Sequence, residues 1–144
     1  YEVSNYSRKN HESIHNKIYW NYGDYLGVGP GAHGRITTQK GRFATQNHYS
    51  PIKWQKNAQN NAGESIRTPI NGKDQADEMA MMGLRLNSGF SKDRYFRLSG
   101  KKLNEKTLTF LINDNLITVE NNFIKATNQG RVVLNSLILN ILSD

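Results

Sequence analysis

The apolar residues change period halfway along the chain, and the change falls in a stretch of turn formers. Before it, apolar positions come in short groups of strand length. YEVSNYS (Tyr1–Ser7) alternates its side chains, and DYLGV (Asp24–Val28) is a glycine-bounded apolar run of the kind a buried strand uses. RITTQKGRFATQN (Arg35–Asn47) has the form of a hairpin, with Lys40-Gly41 in the turn and Ile36 facing Phe43. IKWQKNAQN (Ile52–Asn60) is short and helical. NNAGESIRTPING (Asn60–Gly72) then reads as a linker.

Beyond it the period is helical. Asp74 is placed to cap a helix through ADEMAMMGLRL, whose Ala76, Met79, Met82 and Leu86 form one stripe. Ser91 starts a shorter helix that stops at Gly100. Asn104 opens EKTLTFLIND, with Leu108, Leu111 and Ile112 on one face. LITVENNFIKAT is a hairpin around Asn121-Asn122, and Thr127 caps a long helix carrying Val133, Leu134, Leu137, Ile138, Ile141 and Leu142. The reading is α/β for the first half and α+β, winged-helix-like, for the second. Its domains are 1–60 and 74–144, with 61–73 as the linker.

A chain of 144 residues that is 36% hydrophobic can bury a core. It has no apolar run of the roughly 18 residues a membrane span needs, and no signal peptide is recognisable. It opens directly in YEVSNYS without an initiator Met, so a piece of a longer protein is expected. The absence of cysteine leaves no thiolate to hold zinc or iron–sulfur, and makes the cytoplasm the expected compartment.

Charge is uneven. Up to residue 72, nine Lys and Arg stand against four Asp and Glu; from 73 on it is ten against eight. All four histidines, His11, His15, His33 and His48, lie in the more basic half, which is where chemistry is expected. A winged-helix-like module that is only slightly basic is a poor candidate for nucleic acid, because phosphate neutralisation supplies most of that affinity. Lys106 is the only cation on the helix that would enter a groove.

Two motifs carry chemistry. Gly29-Pro30-Gly31-Ala32-His33-Gly34 matches G-x-G-x-x-G literally. A dinucleotide site also needs a helix to start within it and an acidic residue about 20 positions on, but strand-like RITTQ follows and the next acid is Glu64. The glycines instead mark a sharp turn or a close approach to a ligand, with His33 inside the loop. Upstream, His15 and Tyr19 are spaced i, i+4, so one helical turn puts both on one face. Imidazole and phenolate both serve as haem-iron ligands. A structural histidine that only positions a loop stays open as the alternative.

These stretches together resemble a family. YEVSNYSR, HNKIYW, YLGVGPGAH and GLRL fall in the order seen in HemW-type haem chaperones, radical-SAM proteins also described as oxygen-independent coproporphyrinogen III oxidases, and KATNQGRVVLNSLI resembles their closing stretch. The resemblance implies closing strands of a partial (β/α) barrel followed by the small winged-helix-like C-terminal domain. It implies haem binding at His15, Asn16 and Tyr19, with His15 as the iron ligand. Gly29, Gly31, Ala32 and His33 are then candidates for lining an S-adenosylmethionine site, and Arg8, Lys9, Lys17 and Arg35 for meeting haem propionates. A [4Fe-4S] cluster would belong to the full-length protein, since the CxxxCxxC motif has no counterpart here. Implied partners are haem or a related tetrapyrrole and a haem-acceptor protein. Nucleic acid is not among them, and a membrane would be met only through an acceptor. Porphyrin-precursor decarboxylation and a purely structural fragment are the alternative roles.

Overall fold

The computed structural model describes residues 1–143. In chain order the elements are α1 (Ile14–Trp20), β1 (His33–Thr38), β2 (Gly41–Asn47), α2 (Pro51–Ala58), β3 (Glu64–Pro69), α3 (Gly72–Gly83), β4 (Phe90–Ser91), α4 (Lys92–Ser99), α5 (Glu105–Asn113), β5 (Ile117–Glu120), β6 (Phe123–Ala126), α6 (Asn128–Val132) and α7 (Leu134–Leu142). They form two compact units, one of residues 23–71 and one that joins residues 1–22 to the chain from Gly72 onward.

The unit of residues 23–71 is an antiparallel sheet in the order β1-β2-β3, with α2 between its second and third strands. Ile36 pairs with Phe43 as the alternation predicts, and the turn proper is Gln39-Lys40, closed by the Thr38–Gly41 pair. Phe43 and Ile36 are only half-buried. The well-buried side chains here are polar, Thr45 and a cation: Arg42, 8% exposed, donates to Asp24 Oδ1 at 2.6 Å, to Thr37 Oγ1 at 3.1 Å and to the Gly23 carbonyl at 2.9 Å. A buried guanidinium is tolerated only when its N–H groups find such acceptors. The fork ties the strand-free segment at Gly23-Asp24 to the β1–β2 hairpin.

Two expectations fail in this unit. Residues 61–73 are not a plain linker, because Glu64–Pro69 pairs along β2 as β3. Its side chains are exposed except for Glu64, so the strand is set by its partner's backbone and leaves no apolar alternation to read. DYLGV is not a buried strand either. It makes a single bridge, Tyr25 with Arg35, after which Leu26 and Val28 (83% exposed) face solvent.

The other unit holds the whole buried apolar cluster found among the described residues. Ala76, Met79 and Ala80 of α3 pack with Leu84, Phe90, Tyr95, Leu108, Leu111, Ile117, Ile124 and the α7 face Leu134, Leu137, Ile138 and Ile141. Each large side chain here contributes about 1.5–3 kcal/mol by leaving water. The small sheet runs β4-β6-β5. The β5–β6 turn is Asn121-Asn122, both at positive φ (47° and 67°), the left-handed conformation that asparagine tolerates in two-residue hairpin loops. Ser91, Asn104 and Thr127 accept backbone N–H bonds as N-caps of α4, α5 and α6, and Gly100 ends α4 at φ 71°.

Differences from the sequence expectation lie at element ends. Asp74 sits in the first turn of α3, one residue pair inside its start at Gly72. Ile112 is exposed, since the α5 face is narrowed to Leu108 and Leu111. The last helix is broken at Val133 (φ −112°) into α6 and α7. YEVSNYS contributes one bridge, Glu2 with Leu86. No helix among the described residues is long and apolar enough to cross a membrane.

Gly89 has φ +71°, and a Cβ there would run into the Ile124 carbonyl of β6. Gly89→Ala is therefore expected to cost about 2–4 kcal/mol, read as a lower urea midpoint. Asp24 supplies a pH dependence. Burial pushes its pKa up, but the Thr37 N–H and hydroxyl and the Arg42 guanidinium outweigh this and hold it below its ordinary 3.8. A depressed carboxylate stabilises the fold above its unfolded pKa and stops doing so as pH falls through the folded value. Protection of the β1 and β2 amides, relative to an unfolded chain at the same pH, should fall below pH 3.8 in the wild type, and Asp24→Asn should lack that part of the acid response.

Candidate functional site

The helix that carries His15 begins at Ser13, whose hydroxyl accepts from the Asn16 N–H at 3.3 Å. It runs seven residues and buries none of them. The i, i+4 spacing places His15 and Tyr19 on one face: Tyr19 Oη and His15 Nε2 are 3.0 Å apart, and the rings meet edge to face with centroids 4.7 Å apart. His15 is exposed, as is Ile14 (79%), while Tyr19 is partly covered. Asn16 Nδ2 donates to the Tyr1 hydroxyl at 3.3 Å, so the asparagine links α1 to the chain's first residue. Lys17 lies 3.9 Å from Glu12, whose carboxyl its own backbone N–H holds below the ordinary value.

Such an exposed helix needs anchoring, and residues outside the motif provide it. The chain leaves α1 through Tyr22, held at φ 56° and 5% exposed, with its hydroxyl donating to Glu78 Oε2 at 2.6 Å. Arg94 donates to the carbonyls of Asn21 at 2.8 Å and Tyr22 at 3.3 Å, which are acceptors at the helix C-terminus. Arg85, the arginine of GLRL, lies over the Trp20 ring at 5.6 Å. Tyr22 and Arg94 carry no motif signal; only their distant partners reveal them.

The glycine loop lies in the other unit. Gly29 and Gly31 have φ of +104° and +70°. At Gly27 a Cβ would strike the His33 carbonyl, so the chain passes close over itself there. No helix follows: β1 starts at His33, so the geometry of a dinucleotide-binding turn is absent, as the sequence indicates. The loop amides are used internally. Gly31 N–H donates to the His48 carbonyl at 2.9 Å and Ala32 N–H to the Gly29 carbonyl at 3.3 Å. Asn47 fastens the loop from β2, its Nδ2 donating to the carbonyls of Gly27 at 3.0 Å and Gly29 at 2.9 Å. The structure thus gathers Gly29, Gly31, Ala32 and His33 in one turn and His15, Asn16 and Tyr19 on one helix, in separate units.

Comparison with known proteins bears on what these two sites serve. The HemN C-terminal domain family matches residues 70–133. The chain is 31% identical to the haem chaperone HemW of Buchnera aphidicola (strain APS), covering 96% of this chain and 36% of that protein. The chain is similar to the C-terminal part of HemW/HemN-like radical-SAM proteins. Other members of the group are 30% identical, the haem chaperone HemW of Bacillus subtilis (95% of this chain, 36% of that one), and 32% identical, the mitochondrial radical S-adenosyl methionine domain-containing protein 1 of Bos taurus (99% and 35%). The chain spans about a third of the length of these curated relatives. In fold it is similar to the coproporphyrinogen III oxidase HemN of Escherichia coli, a radical-SAM enzyme, with a TM-score of 0.57 at 19% identity over 83% of this chain and 28% of that one. The likeness is one of fold, a mixed α/β arrangement with small sheets.

Asn47 gives a test of the loop. Asn47→Ala removes two donors and should cost about 1–3 kcal/mol, seen as faster exchange of the Gly31 and Ala32 amides. Asn47→Asp keeps the shape but turns a carboxylate toward two carbonyl oxygens, so its exchange should be faster still.

Proposed function

We propose that this fragment supplies the haem-binding helix of a radical-SAM haem chaperone, which binds haem and passes it to haem-dependent acceptor proteins. The observation that carries this reading is the exposed His15–Tyr19 pair on a helix that buries nothing. A helix so poor in core contacts that keeps Ile14 and Ile18 at the surface beside an imidazole and a phenol suits a flat apolar ligand with a metal at its centre. His15 Nε2 is the iron ligand in this reading. Tyr19, already 3.0 Å from that nitrogen, is a second ligand or a propionate partner. Asn16 holds the helix, and Arg8, Lys9 and Lys17, which belong to the same unit, are cations for propionates.

The β1-β2-β3 sheet is, in this reading, the closing part of a radical-SAM barrel. Exposed Ile66 of β3, with Leu26 and Val28 of the segment before β1, is apolar surface of the kind that packing on further strands covers. The unit of α3 to α7 is its winged-helix-like accessory domain, and the protein works in the cytoplasm. Without cysteine this chain does not fit the [4Fe-4S] cluster, whose thiolate ligands would have to come from elsewhere. Toward S-adenosylmethionine the loop offers its surface and the exposed His33 side chain, since the Gly31 and Ala32 amides are already bonded. The bound cofactor would supply radical chemistry; the loop's part is to shape the wall beside it.

A second reading, coproporphyrinogen III decarboxylation, is supported by the fold likeness to HemN. An iron-free substrate, however, has no use for an axial imidazole. Titration with haemin separates the two. Binding through the helix predicts a Soret shift that weakens about ten- to a hundredfold in His15→Ala and by a smaller factor in Tyr19→Phe. Soret bands identical to wild type in both variants refute the assignment.

A further inference from the structure

Positive charge in the accessory unit is gathered in one place. Between Lys92 and Lys106 lie six cations and two acids, Asp93 and Glu105, whereas the rest of the chain from residue 73 has more acids than cations. Two of the six are committed: Lys92 pairs with Glu105 at 3.0 Å, and Arg94 is engaged with the Asn21 and Tyr22 carbonyls. The other four, Arg97, Lys101, Lys102 and Lys106, are exposed, and among the described residues none has a carboxylate within 4.0 Å.

Shape accompanies the charge. Lys102 and Leu103 line two concavities. One, of about 240 Å³, is completed by Phe96, Lys92, Asn122 and the acids Asp93 and Glu105, so its cations are balanced there and the uncompensated charge lies beside it on Lys101, Arg97 and Lys106. The other, of about 260 Å³, is completed by Lys73, Lys101 and Asn104. The turn between α4 and α5 is held in place, with Ser99 Oγ bonded to both the N–H and the carbonyl of Lys101 at 3.0 and 2.9 Å. Phe96 and Phe110 stand 47% and 59% exposed on the two helices.

We propose that this α4–α5 surface docks an acidic, aromatic-bearing segment of a partner protein. Carboxylates meet Lys101, Lys102 and Lys106, and an apolar side chain enters beside Leu103 and Phe96. Charge complementarity selects an acidic partner, because uncompensated cations steer and orient such an encounter. Recessed Leu103 selects a protruding side chain. A membrane plane would need apolar groups projecting past the ammonium groups. Four available cations fall short of the phosphate contacts that tight nucleic-acid binding uses. The inference goes beyond haem binding and does not depend on it.

The test is fluorescence anisotropy of the protein with a labelled synthetic peptide of alternating Glu and Phe, without haem. Lys101→Glu with Lys102→Glu should weaken binding about tenfold and flatten its salt dependence, with circular dichroism unchanged at these exposed positions. Lys40→Glu with Lys53→Glu changes net charge equally and should leave affinity within about twofold. Phe96→Ala should weaken binding without altering the salt slope. Equal losses in both double variants, an unaffected Lys101/Lys102 variant, or tighter binding to phosphatidylglycerol vesicles or duplex DNA than to the peptide would overturn the proposal.

Discussion

Tyr22 fixes the exit of helix α1 on the core of its unit. Helix α1 contributes no buried side chain, so no hydrophobic force of its own keeps it on the core. The constraint comes immediately after it, where Tyr22 turns into the left-handed region, sinks its ring into the cluster of α3 and α7, and places its hydroxyl on Glu78. A non-glycine residue in that conformation costs on the order of 1 kcal/mol, which the ring burial and the short hydrogen bond offset. Arg94 adds donors to the carbonyls that the helix end leaves without partners. Exposure of His15 and Tyr19 is thereby compatible with a defined position: the helix is fixed by its exit, and the face that carries His15 and Tyr19 stays open.

The two units are stabilised by different means. The α3–α7 unit has a conventional apolar interior, and its order follows from leucine and isoleucine burial. The β1–β3 unit has no comparable core and depends on polar ties: Arg42 with Asp24, and Asn47 with the glycine-loop carbonyls. Polar ties are directional and weaken when one partner is lost, so this unit is the more sensitive to single conservative substitutions. It is also the one that holds the close self-approach at Gly27.

Features written in local chemistry were legible in the sequence. The caps at Ser91, Asn104 and Thr127, the Asn121-Asn122 turn and the Ile36–Phe43 pair each depend on residues within a few positions of one another. The His15–Tyr19 contact was legible for the same reason, being one helical turn. Strand β3 was not, because ESIRTP exposes its side chains and borrows its conformation from β2. Nor were Tyr22, Arg94 and Asn47, whose importance lies in partners 18 to 73 positions away. The glycine loop was half legible. Its turn follows from composition, but whether its amides remain available depends on His48 and Gly29 carbonyls that the motif does not specify.

The unit that carries α1 is assembled from both sides of the sheet unit, since residues 1–22 pack with the chain from Gly72 onward. Such a discontinuous unit cannot close while its second segment is still in the ribosome. Tyr22 has no Glu78 to bond and no Arg94 to receive its carbonyl until those residues emerge. Chain closure over so long a loop also slows folding relative to local contacts. The His15 helix is made before the residues that seat it, so synthesis itself separates the formation of this helix from its fixing in place.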